Sequence, residues 1–210
     1  MRRLLVTAAL LLATGPLAAQ EATLGYDAYV KGSKVGEAEI RVERDHGSYA
    51  VSGNAWSTGV LGLLSRWRTM FSATGSLDDS RPVTSSYSLI EHARNKVKEF
   101  FLADGRATYI KDGETRTPKA PTSVDWLSAL FVNPDCAAAG SEVHNGKDRF
   151  AVKLLRIVSE GAVERCEFEL RDDDDERISA TVLLGEVDGL TVPLKLELIG
   201  ALEGTLKLRS

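Results

Sequence analysis

Val35-Gly36-Glu37-Ala38-Glu39-Ile40-Arg41-Val42-Glu43-Arg44 alternates apolar and polar residues over almost its whole length. Successive side chains of a strand point to opposite faces. Ala38, Ile40 and Val42 therefore share one face, and Glu37, Glu39, Arg41 and Glu43 share the other. One dry face and one wet face describe an antiparallel sheet with a single core. Upstream, Leu24, Tyr26, Ala28 and Val30 form a face of the same kind. Gly32-Ser33 between the two runs reads as the turn of a hairpin. Downstream, Asp45-His46-Gly47-Ser48 is a turn before a strand through Tyr49, Val51 and Trp56. A further strand runs through Trp67, Thr69, Phe71 and Ala73.

The same alphabet continues to the end of the chain. After the turn Asp78-Asp79-Ser80-Arg81-Pro82, strands are expected at Val83–Ala93, Val97–Ala103 and Ala107–Lys111. Later strands are expected at Glu142–His144, Arg149–Val158, Val163–Leu170, Ile178–Val187, Leu190–Ile199 and Thr205–Leu208. Asn145-Gly146 and Asp188-Gly189 supply hairpin turns. The pattern changes once. Thr122-Ser123-Val124-Asp125 is a helix-start signal, and Trp126, Leu127, Leu130 and Phe131 follow on one helical stripe until Asn133-Pro134 stops it. About a dozen short strands with one short helix predict an all-β fold, a single antiparallel β-barrel or half-open β-roll, with the helix plugging or covering one end.

The chain opens Met1-Arg2-Arg3, then an apolar run from Leu4 to Leu12, then small residues up to Ala19-Gln20. A basic start, a short apolar run and small residues before a polar one are the marks of a secretory signal peptide. The run is too short to anchor the chain across a bilayer. Residues 1–19 are therefore expected to be removed after Ala19, leaving 20–210 as one β domain in the periplasm or outside the cell. No Cys follows the apolar run to carry a lipid anchor. No later stretch is apolar enough to span a membrane. The sequence holds 26 Lys+Arg against 30 Asp+Glu. Loss of Arg2 and Arg3 makes the domain more acidic still, which argues against nucleic acid as a partner.

Cys136 and Cys166 are the two cysteines. In an exported protein they read as one disulfide, and their spacing excludes a CxxC redox motif. The histidines, His46, His92 and His144, are scattered and offer no metal-ligand spacing, so no metal or cofactor is expected. Asp172-Asp173-Asp174-Asp175-Glu176 clusters carboxylates, but it lacks the spaced ligands of a calcium loop and reads as a solvated hairpin loop. No GxSxG elbow and no phosphate loop occur. Ser128 stands three residues after Asp125, a spacing that suits capping and packing as well as chemistry. Glycosidase-type carboxylate pairs form in space and leave no sequence mark. The remaining unusual feature is apolar. Trp56, Leu61, Leu63, Leu64, Trp67 and Phe71 cluster in one strand–loop–strand unit around the unbroken run Val60–Leu64. They are candidates for the lining or lip of a cavity.

Several segments together resemble the exported bacterial family known as domain of unknown function 3108. They are Tyr26-x-x-Tyr29-Val30 with Val35-Gly36, Gly75-Ser76-Leu77 with Arg81-Pro82 and Tyr87, and Asp125-Trp126-Leu127-Ser128-Ala129-Leu130. Asn145-Gly146-Lys147 with Arg149-Phe150, and Val192-Pro193-Leu194-Lys195-Leu196, complete the set. The resemblance implies a β-rich envelope protein and supplies no catalytic residues. The leading expectation is a non-enzymatic periplasmic module that binds an apolar or lipid-like molecule or an envelope-assembly component. A hydrolase of glycans or esters with paired carboxylates, and a scaffold that binds other envelope proteins, are the alternatives.

Overall fold

The structure, a computed structural model, describes residues 19–59, 62, 66–94, 96–116, 118, 124–132, 134–136, 142–200 and 203–209. Residues 1–18 of the expected signal peptide, which spans 1–19, lie outside the described residues, as do Leu61, Leu63 and Leu64.

Eight strands precede the helix: β1 (Gln20–Val30), β2 (Ser33–Asp45), β3 (Ser48–Ser57), β4 (Arg68–Asp78), β5 (Arg81–Ala93), β6 (Lys96–Ala103), β7 (Arg106–Lys111) and β8 (Glu114–Arg116). Helix α1 (Trp126–Phe131) follows. Six more strands come after it: β9 (Glu142–His144), β10 (Arg149–Glu160), β11 (Val163–Asp172), β12 (Arg177–Val187), β13 (Leu190–Gly200) and β14 (Gly204–Leu208). All belong to one fourteen-stranded antiparallel sheet in the order β8-β7-β6-β5-β4-β3-β2-β1-β14-β13-β12-β11-β10-β9. Each strand pairs with the next in sequence except β8 with β9, and β14 also pairs with β1. The order is that of a meandering barrel opened at one seam. The missing pair is β8 with β9, the two strands that flank α1. Of the two architectures expected, the chain thus adopts the half-open roll.

Tight turns explain the meander. Lys31-Gly32, Asp104-Gly105, Asp112-Gly113 and Asp188-Gly189 each have two consecutive residues at positive φ, which gives the turn the same hand as strand twist. The first of these turns lies one residue earlier than the Gly32-Ser33 expected. β8 carries no apolar residue and all three of its side chains are exposed, so it leaves no alternation to read.

The inner face is the one the alternation assigns. Ala22, Leu24, Tyr26, Ala38, Ile40, Val42 and Val51 are all buried, and Glu37, Glu39, Arg41 and Glu43 of β2 lie on the other face. Contacts across the interior record how far the sheet curls. The Tyr87 ring of β5 lies edge-on to the His144 ring of β9, centroids 5.3 Å apart. Gly146, at φ 101°, lies against Phe100 of β6, where a Cβ would come within 2.8 Å of the ring. Two opposite flanks of the sheet therefore meet around α1.

The expected disulfide forms between Cys136 and Cys166, with Cα atoms 5.5 Å apart. It fixes the chain just after α1 to β11. The acidic loop closes on itself. Asp172 accepts from the backbone N–H groups of Asp174 and Glu176, Asp173 pairs with Arg149, and Asp175 pairs with Arg171. Among the described residues no helix is long and apolar enough to cross a membrane.

Candidate functional site

The interior is organised by the first turn of α1. Asp125 caps it with extended backbone, and its Oδ1 accepts from Leu127 N–H at 3.0 Å and Ser128 N–H at 2.9 Å. Its Oδ2 accepts from the Ser128 hydroxyl at 2.5 Å and the Thr84 hydroxyl at 2.6 Å. Asp125 N–H in turn donates to Thr84 Oγ1 at 3.1 Å. The Tyr49 hydroxyl donates to Thr84 Oγ1 at 3.3 Å, and burial raises its pKa. Asp125 and Ser128 are fully buried. A buried carboxylate accepting from four donors is costly to disturb, so this cluster fixes where the helix sits.

A second anchor lies beside it. Trp126 Nε1 donates to the Tyr87 hydroxyl at 3.0 Å, and that hydroxyl donates to the Asn145 carbonyl at 3.2 Å. Burial raises the Tyr87 pKa strongly. Thr84 and Tyr87 face the same interior only because of a bulge. Thr84 pairs with Gly75 but Ser86 with Thr74, so Ser85 is the extra residue and the alternation shifts there.

Ser128, Asp125 and His144 are brought close together, yet they do not form a nucleophilic triad. The serine bonds directly to the carboxylate and is inaccessible. His144 is 1 % exposed, and neither ring nitrogen has a hydrogen-bond partner among the described residues. Burial lowers its pKa from 6.5, against a smaller opposing pull from Asp125. His144 is therefore a neutral packing residue between Tyr87 and Phe100.

Two cavities flank the helix. The first, of about 320 Å³, lies between α1 and the inner face of β10–β13. Phe150, Val152, Phe168, Leu170, Ile178, Ala180, Val182, Leu196 and Leu198 form its floor, with Trp126, Ala129 and Leu130 on the helix side. Asp135 and Asn145 are the polar residues among its lining. The second, of about 580 Å³, lies towards β2–β7 and is more polar. Glu91, Lys98, Lys147 and Asp148 join Phe71, Leu89 and Phe100 there. Trp126, Leu130, Asn145 and Leu196 border both.

Three of the sequence candidates, Trp56, Trp67 and Phe71, border the second cavity. They do not share a face. Trp67 and Phe71 have inward parity on the approach to β4 and within it. Trp56 pairs with Glu37 and Arg68, which places it on the outer face of β3 opposite to Tyr49 and Val51. Leu61, Leu63 and Leu64 lie outside the described residues. The apolar floor of β10–β13 was not singled out by the sequence, because its alternation looks like ordinary core.

No known family model matches the chain, and no curated protein matches it. The case for a function therefore rests on this interior.

Proposed function

We propose that this chain is a non-enzymatic binding module of the bacterial envelope, which holds a lipid-like molecule with its hydrocarbon part in the cavity beneath α1. The observation that carries the reading is the first cavity. Protein interiors are packed to crystal density, with few voids larger than a water molecule. A dry apolar cavity of about 150 Å³ already binds small hydrocarbons, and this one has about 320 Å³. Its volume lies at the lower end of the range typical of ligand pockets. The buried network at Asp125 holds the helix over it rather than letting the helix collapse into it.

Export is part of the proposal. It is supported by the basic and apolar start of the sequence and by the closed disulfide, which persists in oxidising compartments. The N-terminus of protein isolated from the envelope should lie near Gln20. An intact Met1 on cytoplasmic protein would contradict this.

Trp126 borders the cavity, so its emission reports occupancy. Dodecanol titrated into delipidated protein should shift the intrinsic fluorescence saturably, and Trp126→Phe should remove most of the change. A parent protein that gives no saturable change would count against the binding reading and favour the scaffold alternative.

A further inference from the structure

We propose that the second cavity is a headgroup chamber, and that the ligand is an amphiphile with a neutral, polyhydroxylated head such as a glycolipid. The inference rests on the lipid-binding reading above and names the ligand class.

The carrying observation is paired charge on a face that is mostly dry, where Lys111 stands in register beside Lys98. Glu91 pairs in register with Thr69 on one side and Lys98 on the other. Thr69 has the parity of the buried Phe71 and Ala73, and Lys98 has that of Phe100 and Leu102. Glu91 and Lys98 therefore project from the concave side, where alternation normally places apolar residues. They lie 2.6 Å apart and only partly exposed, and the Glu91 carboxylate raises the pKa of Lys98. Lys147 and Asp148, beyond β9, enter the same cavity as a second pair at 2.9 Å.

The composition of this lining sets the head. Glu37 and Glu99 also border the cavity, but both have outward parity, and Glu37 is held by Lys34 at 2.8 Å. Within the two pairs Glu91–Lys98 and Lys147–Asp148 each ammonium is matched by a carboxylate, so they present no net positive charge to draw a phosphate or carboxylate head. Equally, no unbalanced acid is provided by these pairs to draw a cationic one. The pairs do offer donors and acceptors side by side, with the Tyr109 hydroxyl and the Asn145 amide near them. A sugar hydroxyl is both donor and acceptor and suits such a surface. Trp126, Leu130, Asn145 and Leu196 line both cavities, which therefore lie side by side, and the inference lays the chain beneath α1 and the head among Glu91, Lys98 and Lys147.

The test uses probes that share one chain. Dodecyl maltoside, dodecanoate and dodecyltrimethylammonium are titrated below their micelle concentrations into the delipidated full-length domain, with dodecanol as the chain control. The maltoside should bind about tenfold more tightly than either ionic probe, the equivalent of two or three net hydrogen bonds. The double variant Glu91→Gln/Lys98→Met removes both charges together and leaves neither partner orphaned. It should erase that preference while dodecanol binds as before. Equal affinity for all three heads would overturn the headgroup chamber and leave chain binding intact. Tightest binding of dodecanoate or of the ammonium probe would overturn it in favour of an ionic site. Failure of dodecanol as well would overturn both this inference and the reading beneath it.

Discussion

Replacing Ala180 with Leu separates a true cavity from a tightly packed core. Ala180 is 5 % exposed on the inner face of β12, between Phe168 and Leu198 of its neighbouring strands, and it borders the first cavity. Leu adds three carbons. If they enter empty apolar space, each contributes about 0.8 kcal/mol, or about 2 kcal/mol in all. For a domain of this size that raises the melting temperature by roughly 4–8 °C. If Ala180 instead faces close-packed atoms, overpacking costs typically ~1–3 kcal/mol. The two accounts therefore differ in sign. Urea denaturation of delipidated parent and variant measures the difference, and dodecanol titration of the same samples should show weakened binding in the variant. A variant destabilised by more than about 1 kcal/mol would refute the claim that the space above β12 is empty.

Three further outcomes follow from the same interior. Replacing Cys136 and Cys166 together with Ala should lower stability by roughly 3–4 kcal/mol in the chain-entropy account, measured by denaturation of oxidised parent against variant. Asp125→Ala removes the acceptor of four hydrogen bonds, and denaturation should register a loss of roughly 3 kcal/mol or more, with Asp125→Asn recovering part of it. Because burial holds the folded-state pKa of His144 below 6.5, the stability it favours is present above that pH and is lost as pH falls below it. His144→Phe should therefore flatten the decline in melting temperature on the acid side of pH 6.5, and an unchanged decline would assign it to other groups.

Much of the sheet was legible because alternation sets the face of each residue directly. Ala38, Ile40 and Val42 point inward as their spacing requires. The helix was legible from its stripe and the Asn133-Pro134 stop, with Asp125 itself as the cap. What alternation does not encode is where it shifts phase. The bulge at Ser85 brings Thr84 to the same interior as Tyr87, although the two stand an odd number of residues apart. The strand expected through Tyr49, Val51 and Trp56 is β3, and its regular parity sends the indole to the face opposite Tyr49 and Val51. Alternation also does not report what lies opposite a buried face. Val152, Phe168, Ile178 and Val182 carry the same sequence signature whether a partner side chain or empty space faces them. That depends on where α1 comes to rest, and its position is set by Thr84, Tyr87 and Asn145, distant in sequence from the floor they leave uncovered.

The central claim is that the space beneath α1 is occupied by a lipid-like molecule when the protein is at work. A native mass spectrum of protein purified from its own envelope without detergent tests it most directly. The account predicts a population heavier than the polypeptide, whose excess mass is released by organic solvent as an amphiphile and is reduced in Ala180→Leu. A single bare mass for the parent protein, unchanged by the variant, would contradict it.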